Sequence, residues 1–113
     1  MANKLLSMVG LAKRAGKLQT GYDASVGTIK ERTGYGILVA SDISAKTEKN
    51  IRYEAERGGV TVVKIQETID EISRAIGKKA GIVSFLDAGF FKAILNMTGG
   101  EQESAENQFT EKG

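Results

Sequence analysis

Cations set between glycines at chain reversals are the residues here equipped to engage a ligand. One stretch, residues 14–23, holds Arg14, Gly16, Lys17, Thr20, Gly21, Tyr22 and Asp23, with Lys13 just before it. The other, residues 72–81, holds Arg74, Gly77, Lys78, Lys79, Ala80 and Gly81. Free backbone amides at a turn donate to phosphate oxygens, lysine and arginine neutralise them, and small residues let a base or a strand come close. Neither stretch holds a group suited to breaking bonds. The chain has no histidine and no cysteine. The commonest general base, the commonest transition-metal ligand and all thiolate chemistry are therefore missing. The pair of stretches points to nucleic-acid recognition, with RNA as the preferred target, rather than to an enzyme; neither a cofactor nor a metal is expected.

Each cluster also has an ordinary explanation. Lys13, Arg14 and Lys17 gather at the end of a helical pattern, where cations complement the negative end of the helix dipole. Lys78 and Lys79 would simply be solvated after a glycine helix stop. Asp23 reads first as a capping residue, with Gly27 and Lys30 following it at helical spacing on one exposed face. A glycine inside a helix costs ~1 kcal/mol against alanine, so Gly27 implies either close approach by another backbone or simple tolerance. The run from Gly10 to Lys17 imitates a phosphate-binding P-loop but fails it. Five residues, not four, separate Gly10 from Gly16, and Leu18 stands where a hydroxyl must hold magnesium. The carboxylate pairs Asp70/Glu71 and Glu54/Glu56 lie on helix surfaces without tuning neighbours, so acid–base catalysis is not supported. Ser41, Asp42 and Ser44 follow a strand, where open α/β sheets bind ligands, although capping explains them more simply.

The elements that must position these residues alternate along the chain. Leu5, Met8, Val9 and Ala12 recur at helical spacing, giving a helix from Asn3 to Ala15 stopped by Gly16. Residues 17–20 read as a short extended piece. Thr20 and Asp23 have the spacing of a capping box for a second helix with Tyr22, Val26 and Ile29 inward, ending near Thr33-Gly34. The apolar run 37–40 marks a strand covered on both faces. A third helix is expected from Ala45 to Arg57, capped from Asp42 or Ser44, with Ile51 and Ala55 inward. Val60 to Ile65 is a strand. Thr68 and Glu71 form a second capping box for a helix carrying Ile69, Ile72 and Ile76. Gly81 to Leu86 is a strand, and Asp87 caps a last helix with Phe91, Ile94 and Leu95 inward. Short connections between alternating elements predict a three-layer α/β/α sandwich around a small sheet.

At 113 residues the chain is long enough for one self-supporting core. The net charge of +2 hides an asymmetry: residues 1–97 carry 15 Lys and Arg against 10 Asp and Glu, a net of +5, and an acidic stretch follows. A domain over 1–97 and an acidic flexible tail over 98–113 are expected, the tail being a candidate contact for a protein partner. The opening residues do not fit a secretion signal and no run is long enough to span a membrane, so a cytoplasmic monomer without membrane contact is expected.

Several spaced motifs carry a resemblance. They are the Gly-Lys-Leu-x-x-Gly turn at Gly16–Gly21, the Leu38-Val39-Ala40-Ser41-Asp42 strand end, the Ala75-Ile76-Gly77-Lys78 loop and the Asp87-x-Gly89-Phe90 helix start. With the order of elements, they resemble the kink-turn-binding ribosomal proteins of the archaeal L-seven-Ae and eukaryotic L-thirty-e type, and most of all the bacterial YlxQ-like branch. The resemblance covers residues 4–96. It implies a four-stranded mixed sheet and binding of kink-turn, ribosomal or similarly structured RNA without chemistry. The start of the second helix would read sheared G·A pairs, and the loop before the last strand would close over a flipped-out base. The family's Gly-x-Asn-Glu-x-x-Lys falls on residues 21–27, where Asp23, Ala24 and Gly27 depart from it. The family's Leu-Gly before the second loop is Ile72-Ser73 here. Lys17, Lys30, Lys78 and Lys79 would then supply much of the affinity. The rival reading is a protein-interaction module on the same scaffold that has lost specific RNA reading.

Overall fold

Asn3 accepts the Leu6 amide on its side chain and so starts α1 (Lys4–Arg14). The chain then forms β1 (Leu18–Thr20), α2 (Tyr22–Lys30), β2 (Gly36–Val39), α3 (Ala45–Gly58), β3 (Val62–Lys64), α4 (Ile69–Ile76), β4 (Ile82–Phe85) and α5 (Ala88–Thr98). This computed structural model describes residues 3–98. Apart from Thr98, which closes α5, the expected acidic tail lies outside the described residues.

The four strands make one mixed sheet in the order β1-β4-β2-β3. β4 runs antiparallel to both β1 and β2, while β2 and β3 are parallel. Alternation along the strands feeds two cores. Leu38, Val63, Val83 and Phe85 face α1, α4 and α5 on one side. Ile37, Val39 and Ile82 face Ile29 of α2 and Ile51 and Ala55 of α3 on the other. The α/β/α sandwich and mixed sheet follow the expectation.

Three local readings change. Thr20 and Asp23 do not form a capping box. Thr20 is the last residue of β1, paired with Val83, and α2 begins from Gly21 with no side-chain cap. Gly21, one residue later, takes the N-cap position, so the Thr20–Asp23 spacing does not coincide with the helix start. Asp42 does not cap α3. Ser44 does so, through the Thr47 amide, while Asp42 accepts the Ile69 amide at 2.8 Å and fastens the start of α4. The inward face of α2 is more polar than its apolar pattern suggests: Ser25, Thr28 and Ile29 are buried, with Tyr22 and Val26 partly so. The Thr68–Glu71 capping box is present.

The Thr28 hydroxyl donates to the Ser25 carbonyl at 2.7 Å, so the Ser84 hydroxyl, 2.7 Å away, must donate to Thr28. The Ser25 hydroxyl itself is buried without a partner among the described residues. A buried hydroxyl lacking a hydrogen bond carries a desolvation cost, and alanine is the better helix former. Ser25→Ala is expected to stabilise the fold by about 1 kcal/mol, read as a rise in the urea midpoint with unchanged slope. On the outer surface Glu48 ties α3 to β3. Its hydrogen bond from Lys64 and then that from Arg52 hold its carboxyl below the usual range.

Candidate nucleic-acid interface

The sheet register decides which predicted residues share a surface. β1 ends where β4 begins: Thr20 pairs with Val83, and the Gly21 amide donates to the Ile82 carbonyl at 2.8 Å. Gly77, Lys78, Lys79, Ala80 and Gly81 connect α4 to that same end of β4. The Gly81 carbonyl takes the Ala40 amide at 2.9 Å, which adds the end of β2 and Ser41 to the edge. Gly21, Tyr22 and Asp23 therefore stand beside the Gly77–Gly81 loop.

The loop is held in place, and its lysines make no ion pair among the described residues. Gly77 is left-handed, with φ 79°, and its amide closes α4 on the Ser73 carbonyl. The Ser73 hydroxyl accepts the Ala80 amide at 3.0 Å and donates to the Ala80 carbonyl. Ala80 is buried, so Lys78 and Lys79 project from a fixed arch and are exposed. Across from it, the start of α2 is open. Gly21 takes φ 98° and ψ 166° and offers no side chain. Among the described residues the Tyr22, Asp23 and Ala24 amides have no acceptor, whereas Asn3, Ser44, Thr68 and Asp87 side chains serve the other helices. Asp23 lies exposed in the first turn of α2.

Other predicted residues lie elsewhere. Gly16 and Lys17 are at the Phe85 end of β4, where the Lys17 carbonyl takes the Leu86 amide at 2.8 Å. Four strand residues, about 13 Å, separate that end from the Ile82 end. Lys13 is tied to the Gly16 turn through its carbonyl. Lys30 closes α2 a full helix length, roughly 13 Å, from Gly21. Gly27 has open space around a Cβ position, which answers its question in favour of tolerance. Arg14 and Arg74 line a groove between α1 and α4, where Gly10 allows close approach to the Ala75 carbonyl; Arg74 pairs with Asp70 at 2.8 Å. Lys17 and Lys78 thus lie toward opposite ends of the sheet, because β1 and β4 run in opposite directions. Ser41, which capping would explain, is placed at the edge by strand pairing.

No group of metal-ligating side chains occurs among the described residues, and no described helix is long and apolar enough to cross a membrane. The chain resembles the RNA-binding protein YlxQ of Enterococcus faecium, with 30% identity over 97 residues covering 86% of this chain and 93% of that one. The large ribosomal subunit protein eL30 of Candida glabrata is 26% identical over 83 residues, covering 72% and 79%. A Bacillus halodurans protein of unknown function superposes with TM-score 0.80 at 26% identity, covering 86% of this chain and 98% of that one. The Giardia lamblia 15.5kD RNA binding protein superposes with TM-score 0.68 at 14% identity, covering 90% and 91%, a likeness of fold. Residues 3–94 match the family described as ribosomal protein L7Ae/L30e/S12e/Gadd45, and the chain belongs to that family.

Proposed function

We propose that the chain is a non-enzymatic, cytoplasmic RNA-binding protein that recognises a kink-turn or similarly bent RNA through the start of α2 and the Gly77–Gly81 loop. The observation that carries this reading is the 2.8 Å hydrogen bond from Gly21 to Ile82, which sets an uncapped helix start against a lysine-bearing arch. The two halves do different work. Lys78 and Lys79 neutralise phosphates and fix the position of the strand. The free amides of α2 donate to acceptors on the RNA, and the Asp23 carboxylate, which repels phosphate, accepts from base amino groups. Such a surface suits bases already splayed from the helix, the common target of RNA-binding folds. The YlxQ name of its relatives supports an RNA partner.

Lys78→Ala/Lys79→Ala should weaken binding to a kink-turn RNA about ten- to a hundredfold at moderate salt and flatten the log–log salt slope by about 2. Filter binding at several salt concentrations, with a duplex of equal length as competitor, measures both. Unchanged affinity and slope would remove the loop from the site. Equal, weak wild-type binding to kink-turn and duplex would instead favour a protein-interaction role for the scaffold.

A further inference from the structure

The Phe85 end of the sheet carries a cationic recess of its own. It is an open depression of about 260 Å³ between the closing turns of α2 and α3, lined by Ile29, Lys30, Arg32, Glu54, Arg57 and Gly58. Three cations share it with one carboxylate. The described ion pairs, Glu48 with Arg52 and Lys64 and Asp70 with Arg74, involve none of the four. Two helix C-termini attract cations, which accounts for Lys30 and Arg57. They do not account for the backbone of Arg32. This arginine is left-handed, with φ 61°, the one non-glycine residue with positive φ among those described. At the ends of α1, α3 and α4 the left-handed residue is a glycine: Gly16, Gly59 and Gly77. Arginine has no short polar group to offset that conformation, so the chain carries strain that a glycine would remove. What the arginine contributes in return is a guanidinium lining the recess.

Aromatic surface adjoins it. The Arg57 guanidinium lies 5.6 Å from the centroid of the Tyr53 ring, and Tyr53 is 59% exposed. Tyr35, 56% exposed, sits at the same end of the sheet, its amide bonded to the Phe85 carbonyl. Exposed Lys17 is at that end as well. Cations interleaved with open aromatic faces fit a base-bearing polyanion better than an acidic peptide, which would use the charges and leave the rings idle.

We propose that this recess binds a phosphate of a single-stranded RNA segment, with Tyr53 as a stacking face, as a second contact for an RNA already held at the Gly21 end. The proposal rests on the RNA-binding reading above. The molecule is 39 Å in its longest dimension, so a flanking strand of the same RNA reaches both ends.

The test compares the full chain with Arg32→Gly and Lys30→Ala/Arg32→Gly on two probes: a blunt kink-turn RNA and the same RNA with a single-stranded extension. Arg32→Gly should raise Tm by several degrees while weakening the extended RNA about fivefold and making its salt slope shallower by about 0.7. The double variant should lose about 1.4 in slope. Blunt RNA should bind all three proteins alike. Equal affinities and slopes on the extended RNA overturn the recess, as does an equal loss on both probes. Capture of poly-glutamate by the wild type but not by the double variant, with RNA binding unmoved, also overturns it by assigning the recess to protein. Wild-type binding confined to the extended RNA and dependent on Arg32 would refute the Gly21 site and leave the recess standing.

Discussion

Gly36→Ala is expected to destabilise the chain by about 3 kcal/mol, lowering Tm by roughly 10–20 °C. A methyl group built on Gly36 lies 2.1 to 2.3 Å from three atoms of the Phe91 ring. Neither side has room to give. Gly36 opens β2, an interior strand paired in register with Phe85 of β4. Phe91 is buried and packs on Phe85 with ring centroids 5.9 Å apart. Moving the ring breaks that contact, and moving the strand breaks the sheet. Thermal and urea unfolding measure the loss. The mechanism is checked by a double-mutant cycle, because Phe91→Leu removes the overlapping ring atoms. Gly36→Ala should cost at least 1 kcal/mol less on that background than on the wild type; equal costs would show that the overlap is not the cause.

Element types were largely legible because apolar spacing and stop residues act locally. The Thr68–Glu71 box, the Ser44 and Asp87 caps and the fully buried strands each declare themselves within a few residues. The misread positions are those where a distant partner decides. Thr20 has the spacing of a cap, but β4, more than 60 residues later, claims its backbone for the sheet. Asp42 fastens a helix 27 residues away rather than the next one. Ser25 and Thr28 look like surface residues of an amphipathic helix, and only the facing Ser84 makes an inward hydroxyl pair sensible. The site shows the same divide. Lys17 and Lys78 both follow glycine-marked helix ends and look equivalent in sequence. Strand direction then sends one to the Phe85 end and the other to the Ile82 end. Arg32 gave no signal at all, since residue type does not reveal a positive φ at arginine.

Gly21→Ala should separate the binding geometry from the charge that assists it. Its φ of 98° and ψ of 166° fall in a region that is essentially glycine's alone. No atom of the described residues lies within 4 Å of the added methyl, so the penalty is one of backbone conformation, about 2 kcal/mol, and not of packing. The chain can escape it by rotating the peptide ahead of α2. That movement weakens the Gly21–Ile82 hydrogen bond and turns the Tyr22, Asp23 and Ala24 amides away from the lysine arch. Kink-turn affinity should fall at least tenfold at a temperature where the variant is still folded. The salt slope should hold, because Lys78 and Lys79 remain, and this distinguishes the result from the flattened slope of the lysine variant. Gly16→Ala is the matched control: its φ is 74°, its added methyl also meets no described atom, and it sits at the other end of the sheet. Both variants should lose stability while only Gly21→Ala loses the RNA. Equal losses of affinity in the two would mean that general destabilisation, and not the aim of the α2 amides, governs binding.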